Sequence, residues 1–139
     1  MQVQPDQSAF VADQELIQAL MIRAIEMSCG KDCVLFRQGD APAGLYIVNK
    51  GEAVLTLESP AGESVKSFTA PAGSILGLPA LIGNQPYSLT AVAFAGASLS
   101  FVTREDFMIL MQTDPQLPLR ILPVLAAELR SARRTILEM

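Results

Sequence analysis

The chain has 139 residues, of which 50% are apolar, 17% charged and 6% aromatic, and its 10 Lys and Arg against 14 Asp and Glu give a net charge of −4. This length suits one domain with a single core. The composition excludes intrinsic disorder, and no run reaches the ~18 uninterrupted apolar residues of a membrane span. The absence of histidine excludes Ser-His-Asp and Cys-His catalysis and histidine-ligated metal sites. We therefore expect a protein that is not an enzyme.

The N-terminal region predicts a helix over about residues 8–28. Its apolar residues recur at helical spacing, and Gly30 follows as a stop signal. The first residues contain neither a basic segment nor an apolar one, so no secretory signal is predicted and the expected location is cytoplasmic. The apolar positions are Phe10, Ile17, Leu20, Met21, Ala24 and Ile25.

The two cysteines of the chain, Cys29 and Cys33, follow this predicted helix. Two thiolates cannot fill the four positions of a structural zinc or an iron–sulfur cluster within one chain. One interpretation is a pair of small, mostly buried thiols in a reduced cytosol. The alternative is a metal site shared between subunits. We expect neither a metal nor a cofactor.

A roll of short strands is predicted over residues 33–102. Apolar residues alternate with polar ones, for example at Ala53, Leu55 and Leu57, as in a half-buried strand. Turn signals rich in Gly, Pro and Asp separate the runs about every ten residues, a spacing typical of a sandwich, roll or barrel. The predicted strands include residues 34–36, 45–48, 53–57, 87–95 and 97–102.

The last third, residues 103–138, predicts a short helix and then a long one. Thr103 with Asp106 three residues on resembles a capping box that opens the short helix. Asp114 and Pro115 suit the N-cap and first position of the long helix, and Pro123 should kink or restart it. The chain contains no internal repeat or linker, so residues 1–139 are predicted to form a single domain.

The long helix has an apolar stripe with alternating steps of three and four, the spacing of a coiled-coil seam. One interpretation is that two copies pair along this stripe as a homodimer. The other is that the stripe packs on the chain's own roll. From residue 123 to residue 139 the helix would span about 25 Å at 1.5 Å per residue, which is long for one small roll and favours the dimer. The stripe consists of Leu122, Leu125, Leu129, Ala132, Ile136 and Met139.

Several stretches in this order resemble a cyclic-nucleotide-binding domain, as found in the effector domains of bacterial catabolite-activator/FNR-type regulators. They are Val34-Leu35-Phe36-Arg37-Gln38-Gly39-Asp40, Leu45-Tyr46-Ile47-Val48-Asn49-Lys50-Gly51, Gly73-Ser74-Ile75-Leu76-Gly77 and Tyr87-Ser88-Leu89-Thr90-Ala91-Val92-Ala93. The resemblance implies an α+β, mainly β fold. Its core would be a double-stranded β-helix, or jelly roll, with one N-terminal helix and two C-terminal helices, the last one long. It also supports pairing through that long helix.

The chain departs from this family in its phosphate segment, residues 73–93. There the family has a glutamate that accepts from the ribose 2′-hydroxyl and an arginine that pairs with the cyclic phosphate. Leu78 and Tyr87 stand at those positions, and residues 73–95 contain no Asp, Glu, Lys or Arg. The candidate ligand-binding residues of this degenerate segment are Gly77, Leu78, Pro79, Ala80, Tyr87, Ser88, Leu89 and Thr90.

Three interpretations of the phosphate segment remain open. Leu78 and Tyr87 could plug the pocket from within, the pocket could take a less polar ligand, or backbone donors could still hold a cyclic nucleotide. We expect a non-enzymatic sensor or regulatory module that does not bind cyclic AMP in the family's usual way. The alternative is a signalling or transcription regulator that responds to a cyclic nucleotide or another small ligand and acts through a separate partner. An enzyme on a cupin-like roll ranks third.

In the regulators that the chain resembles, a helix-turn-helix domain follows the long helix, and this sequence ends about where that domain would begin. We therefore expect no direct binding of nucleic acid, and the net charge of −4 agrees with this. Arg130, Arg133 and Arg134 are interpreted as a solvated helix face. The expected partners are a small ligand, a second copy of the chain and another protein, and no membrane.

Overall fold

Two antiparallel sheets and four α-helices make up residues 10–138, the part of the chain that the computed structural model describes, with side chains through residue 127. This confirms the predicted mainly β roll with flanking helices. The helices are α1 Gln14–Met21, α2 Leu78–Gly83, α3 Arg104–Thr113 and α4 Leu117–Glu138. The strands are β1 Ile25–Ser28, β2 Cys33–Phe36, β3 Gly44–Lys50, β4 Ala53–Glu58, β5 Ser64–Ala70, β6 Ile75–Leu76, β7 Thr90–Ala93 and β8 Ser98–Thr103.

The two sheets have the strand orders β1-β8-β3-β6 and β2-β7-β4-β5. Every strand pair is antiparallel. In β4 the predicted alternation is present, because Ala53 and Leu55 are buried while Val54 and Thr56 are half-buried. Consecutive strands such as β7 and β8 lie in different sheets, so the chain crosses repeatedly between the two layers.

Buried apolar residues form two clusters. The roll cluster lies among the strands and is rich in aromatic and small residues, including Phe10, Phe36, Leu55, Phe68, Leu76, Ala80, Tyr87, Ala91 and Leu99. The helix-layer cluster combines residues of all four helices with residues of β3, β6 and β8, and is almost entirely aliphatic. It includes Leu16, Leu20, Leu45, Ile47, Ile75, Leu78, Leu81, Val102, Phe107, Leu110, Leu117, Ile121 and Val124.

The N-terminal helix is shorter than predicted. α1 begins after Asp13, whose carboxylate caps it by accepting from the Leu16 backbone N–H at 2.8 Å. Its buried residues are Leu16 and Leu20. Residues 25–28, which we expected to be helical, instead form β1 and pair with β8. Pairing with a strand some seventy residues further along the chain outweighs the local helical period here. The predicted helical residues 8 and 9 lie outside the described part.

Within the roll, two predicted boundaries change. The strand expected over residues 87–95 is only Thr90–Ala93, because Tyr87 lies in the connection that leads into it. β5 and β6 carry no clear sequence signal, yet β5 pairs along its length with β4, and β6 pairs with β3. An edge strand needs few apolar residues, and in β5 Phe68 and Ala70 alone are buried.

The C-terminal helices largely follow the prediction. The Thr103 hydroxyl accepts from the Asp106 N–H at 3.1 Å, which confirms the predicted cap of α3. Asp114 and Pro115 lie in the turn before α4 rather than in its first positions, and α4 continues through Pro123 instead of restarting there. Glu15 of α1 forms an exposed ion pair with Arg120 of α4, and Arg23, two residues beyond α1, forms another with Asp106 of α3.

Candidate functional site

The phosphate segment turns from β6 into α2 at a glycine that no other residue could replace without strain. Gly77 has φ +90°, a left-handed conformation that favours glycine. A Cβ atom here would lie 3.0 Å from the Tyr87 ring and 3.3 Å from the Gly44 carbonyl oxygen. The predicted glycine of the segment is thus required both by its backbone angle and by the close approach of Tyr87.

Tyr87 is the residue that the resemblance places at the family's phosphate-binding arginine. Its side chain is 4% exposed and belongs to the roll cluster. The phenol donates to the Gly44 carbonyl oxygen at 2.6 Å and accepts from the backbone N–H groups of Ala43 and Gly44 at 3.0 and 3.1 Å. The hydroxyl therefore uses its donor and both its lone pairs within the protein.

An aromatic column extends from Tyr87 through the roll. The rings of Phe36 and Tyr87 stack with centroids 3.9 Å apart and an interplanar angle of 13°. Tyr46 lies 6.2 Å from Phe36 and 4.8 Å from Phe101, centroid to centroid. Stacked and tilted aromatic pairs add stabilisation beyond the area they bury. Phe36 and Tyr87 are buried, whereas Tyr46 and Phe101 are half-buried, so the column extends from the interior of the roll towards its surface.

Leu78, which the resemblance places at the family's glutamate position, faces a different environment. It is fully buried and belongs to the helix-layer cluster, whereas Tyr87 belongs to the roll cluster. The interpretation that both residues plug the roll from within requires both to lie in the roll cluster, and Leu78 does not. Leu78 instead joins the first turn of α2 to the packed layer of helices.

The other predicted site residues are divided between surface and interior. Ala80 is buried in the roll cluster and Leu89 packs against it. Pro79 and Ser88 are exposed. Thr90 is buried, and its hydroxyl accepts from the Gln38 backbone N–H at 2.9 Å. The structure thus brings Gly77, Ala80, Tyr87 and Leu89 together and leaves Pro79 and Ser88 at the surface.

The phosphate segment contributes no charged side chain to the site, because residues 73–95 contain no Asp, Glu, Lys or Arg. Burial raises the pKa of the Tyr46 phenol above its usual value, and the neighbouring Tyr87 and Cys29 add to the rise. A phenol whose pKa is raised stays neutral at physiological pH and offers no charge to a ligand.

Residue patterns alone did not point to three contributors to this site. Phe36, Ala43 and Gly44 lie more than forty residues before Tyr87 in the chain. Gly44 is itself tightly enclosed, because a Cβ atom there would lie 2.4 Å from the Val102 carbonyl oxygen. The stretch from Phe36 to Asp40 belongs to the family pattern and so indicates that these residues lie near the site. It does not predict that the Phe36 ring stacks on Tyr87.

The residues of the predicted dimer seam begin on the surface of α4. Leu122 is 59% exposed, while Leu125 is half-buried and packs against the helix-layer cluster. Leu117, Ile121 and Val124 form the buried face of this helix instead. Leu129, Ala132, Ile136 and Met139, together with the arginine cluster, lie outside the residues whose side chains the structure describes.

The described part of the chain holds neither a cluster of metal ligands nor a membrane-spanning helix. Among residues 10–127 no three His, Cys, Asp or Glu side chains are grouped as a metal site would require. Over the same part of the chain no helix is long and apolar enough to cross a membrane. Cys29 and Cys33 are both free thiols, the first buried and the second half-buried.

Comparison with known proteins identifies the class to which this geometry belongs. Residues 26–114 match the family described as the cyclic nucleotide-binding domain, and this match extends over more than half of the chain. The chain therefore belongs to the cyclic nucleotide-binding domain family. None of the curated protein sequences matches it.

Solved structures share the fold at low sequence identity. The catabolite activator protein of Thermus thermophilus has a TM-score of 0.75 at 23% identity, over 89% of this chain and 58% of that one. A cyclic nucleotide-binding domain from Methylobacillus flagellatus has a TM-score of 0.72 at 23% identity, over 91% and 74%. The c-di-GMP-responsive global regulator of Xanthomonas campestris has a TM-score of 0.65 at 20% identity, over 90% and 60%. This chain therefore spans somewhat more than half the length of two of these regulators and shares the fold of the part that it matches.

Proposed function

We propose that this domain is a non-enzymatic regulatory module that does not bind cyclic AMP or cyclic GMP in the family's usual way. The observation that carries the proposal is Tyr87. Its ring stacks on Phe36 inside the roll, and its hydroxyl is fully hydrogen-bonded to the Ala43–Gly44 backbone. A side chain held in this manner is not available to a phosphate, and its ring fills space that a ligand would need.

The missing charges support the same conclusion. A hydrogen bond to a charged group contributes roughly 1.5–3 kcal/mol. Loss of both the arginine and the glutamate contacts would weaken binding by about 10²–10⁴-fold, at 1.4 kcal/mol for each factor of ten. No charged side chain within residues 73–95 could compensate. The module would then signal through contacts with another protein or through a ligand that is less polar than a cyclic nucleotide.

Isothermal titration calorimetry with cyclic AMP and cyclic GMP tests this proposal. We expect no saturable binding up to a ligand concentration of about 100 μM. A dissociation constant at or below about 10 μM, which corresponds to roughly −7 kcal/mol, would overturn it. Because the Xanthomonas campestris regulator is described as responsive to c-di-GMP, the same titration with c-di-GMP tests the alternative of another nucleotide ligand.

A variant at Tyr87 distinguishes two reasons for weak binding: a roll interior that is filled, and an open interior that lacks a positive charge. Tyr87→Arg restores the family's cation, and it should recover micromolar affinity for cyclic AMP only if the roll can open around the new side chain. The matched control is Ser88→Arg, which adds the same charge at the neighbouring exposed position. Equal gains in both variants would indicate non-specific attraction of the phosphate.

We also propose that two copies pair along α4. Leu119 and Leu122 are 62% and 59% exposed on the helix surface away from the buried Leu117, Ile121 and Val124. Beyond residue 127 the sequence continues the three-and-four spacing with Leu129, Ala132 and Ile136. The interface would comprise Leu122, Leu125, Leu129, Ala132 and Ile136, with the two copies related by a two-fold axis.

Light scattering on two variants tests the dimer. Leu122→Asp and Leu129→Asp each place paired carboxylates in an apolar seam, and each should give folded monomers at tens of micromolar protein. Ile22→Asp is the control, because Ile22 is 76% exposed at the end of α1 and its replacement should leave the dimer intact. A wild-type monomer at these concentrations, or variants that unfold outright, would show that the stripe belongs to the core.

A further inference from the structure

Cys29 lies in the turn between β1 and β2, and this turn is anchored to the β7–β8 turn. The Cys29 N–H donates to the Ala97 carbonyl oxygen at 3.0 Å, and the Gly96 N–H donates to the Cys29 carbonyl oxygen at 2.7 Å. The Asp32 carboxylate accepts from the Ala95 N–H at 2.8 Å. Cys33, at the start of β2, then pairs with Ala93 of β7. These contacts fix the backbone on both sides of the two cysteines.

The two thiols are neighbours within the roll cluster. Cys29 is buried in this cluster, with 2% exposure, and Cys33 packs against it from the half-buried edge. Cys33 lies close enough to Cys29 to help raise the pKa of the Cys29 thiol. The Cys33 thiol in turn donates to the Lys31 carbonyl oxygen at 3.3 Å. The turn therefore holds an inner and an outer thiol side by side, and both are free.

We propose that Cys29 and Cys33 form an oxidisable dithiol, which a hydroperoxide converts into a disulfide within one chain. The outer Cys33 reacts first. Its sulfur displaces water from hydrogen peroxide and becomes a sulfenic acid, with one water released. The Cys29 thiol then attacks this sulfur. The S–S bond forms, the hydroxyl of the sulfenic acid leaves as a second water with the Cys29 proton, and the peroxide is the two-electron oxidant.

The environments of the two thiols set this order. Burial and the neighbouring Cys33 and Asp32 raise the pKa of Cys29 to about 11. At pH 8 such a thiol is ionised in roughly one molecule in a thousand, so Cys29 is a poor first target for an oxidant that attacks thiolates. Its position beside Cys33 nevertheless suits it to resolve a sulfenic acid formed there. This inference does not depend on whether the domain binds a nucleotide.

Peroxide titration of the wild-type protein tests the proposal. After treatment with hydrogen peroxide and quenching, intact mass should fall by two hydrogens per chain, and denatured protein should show no free thiols. A peptide linking Cys29 to Cys33 should be recovered after proteolysis, and dithiothreitol should restore both thiols. Retention of both thiols would overturn the proposal. Exclusive formation of disulfides between chains, or of a sulfinic acid at Cys33, would overturn it too.

Single variants test the order of the two steps. In Cys29→Ala, peroxide should leave Cys33 as a sulfenic acid that a dione reagent traps. In Cys33→Ser, the remaining Cys29 should stay reduced, with a reaction rate at least about tenfold lower than that of Cys33 in Cys29→Ala. Equal rates would overturn the assignment of Cys33 as the first target, and the wild-type mass measurement remains decisive if either variant folds poorly.

Discussion

The two buried clusters of this domain are built from different side chains. The helix-layer cluster consists almost entirely of aliphatic residues that interlock α1–α4 with one sheet. The roll cluster also contains the hydroxyl groups of Tyr46 and Tyr87, and each of them donates a hydrogen bond to a backbone carbonyl oxygen. Apolar packing alone stabilises the first cluster, whereas the second also depends on satisfied polar groups.

The difference between the two clusters also separates the two residues of the phosphate segment that depart from the family pattern, Leu78 and Tyr87. The two departures predicted from the resemblance lie in different surroundings, since Leu78 packs in the aliphatic helix layer and Tyr87 makes polar contacts inside the roll. The Tyr87 hydroxyl satisfies the backbone of Ala43 and Gly44 within the roll itself. Near Tyr87 the interior of the roll therefore combines apolar packing with satisfied hydrogen bonds, whereas the helix layer is packed from apolar side chains.

A charge at Leu78 should produce the largest effect. Leu78→Glu would bury a carboxylate among aliphatic side chains, and a buried unpaired charge costs about 3–5 kcal/mol. We therefore expect the free energy of unfolding in urea to fall by about 4 kcal/mol. Ile82→Glu in the same helix is the control, because Ile82 is exposed and its change should remain within about 0.5 kcal/mol. Similar losses in the two variants would mean that the two positions are not distinguished by burial.

Removal of the Tyr87 hydroxyl should have an intermediate effect. Tyr87→Phe keeps the ring stacked on Phe36 but leaves the Gly44 carbonyl and two N–H groups without their partner. Unsatisfied buried polar groups cost about 1–3 kcal/mol, so we expect a loss of about 2 kcal/mol. In the control Tyr46→Phe, the lost hydroxyl makes one 3.3 Å bond to the Leu35 carbonyl oxygen, and the loss should stay below about 1 kcal/mol. A larger loss at Tyr46 than at Tyr87 would reverse the assigned roles.

The sequence was sufficient for features that depend on neighbouring residues. The Thr103 cap and the alternation in β4 follow from local spacing, and both are present. The strand at Ile25–Ser28 was missed because its identity depends on pairing with β8, far along the chain. A local period cannot report such a contact.

The candidate site shows the same limit. The family pattern located Leu78 and Tyr87 and identified both as departures. It could not show that they belong to separate clusters, because that depends on where α2 lies between the sheet and the helices. The stack of Phe36 on Tyr87 joins residues fifty-one positions apart, and no periodicity in the sequence relates them.

The smallest predicted effect concerns the pH dependence of the roll cluster. The pKa of Cys29 is raised from 9.0 to about 11 in the folded protein, first by burial and then by Cys33 and Asp32. The folded state therefore holds this proton more tightly than the unfolded state. The stability that this proton contributes is fully present below pH 9 and is lost as the pH rises from 9 towards 11.

Between pH 8 and pH 10, loss of this proton should lower the free energy of unfolding by about 1 kcal/mol under reducing conditions. Tyr46, whose pKa is also raised, would add a loss of its own above its usual range. The comparison with Cys29→Ala isolates the thiol, because that variant keeps Tyr46 and should lose correspondingly less stability over the same interval. Urea denaturation at the two pH values, followed by circular dichroism with dithiothreitol present, measures the difference. If both proteins lose the same amount, the Cys29 proton is held no more tightly in the folded state than in the unfolded one.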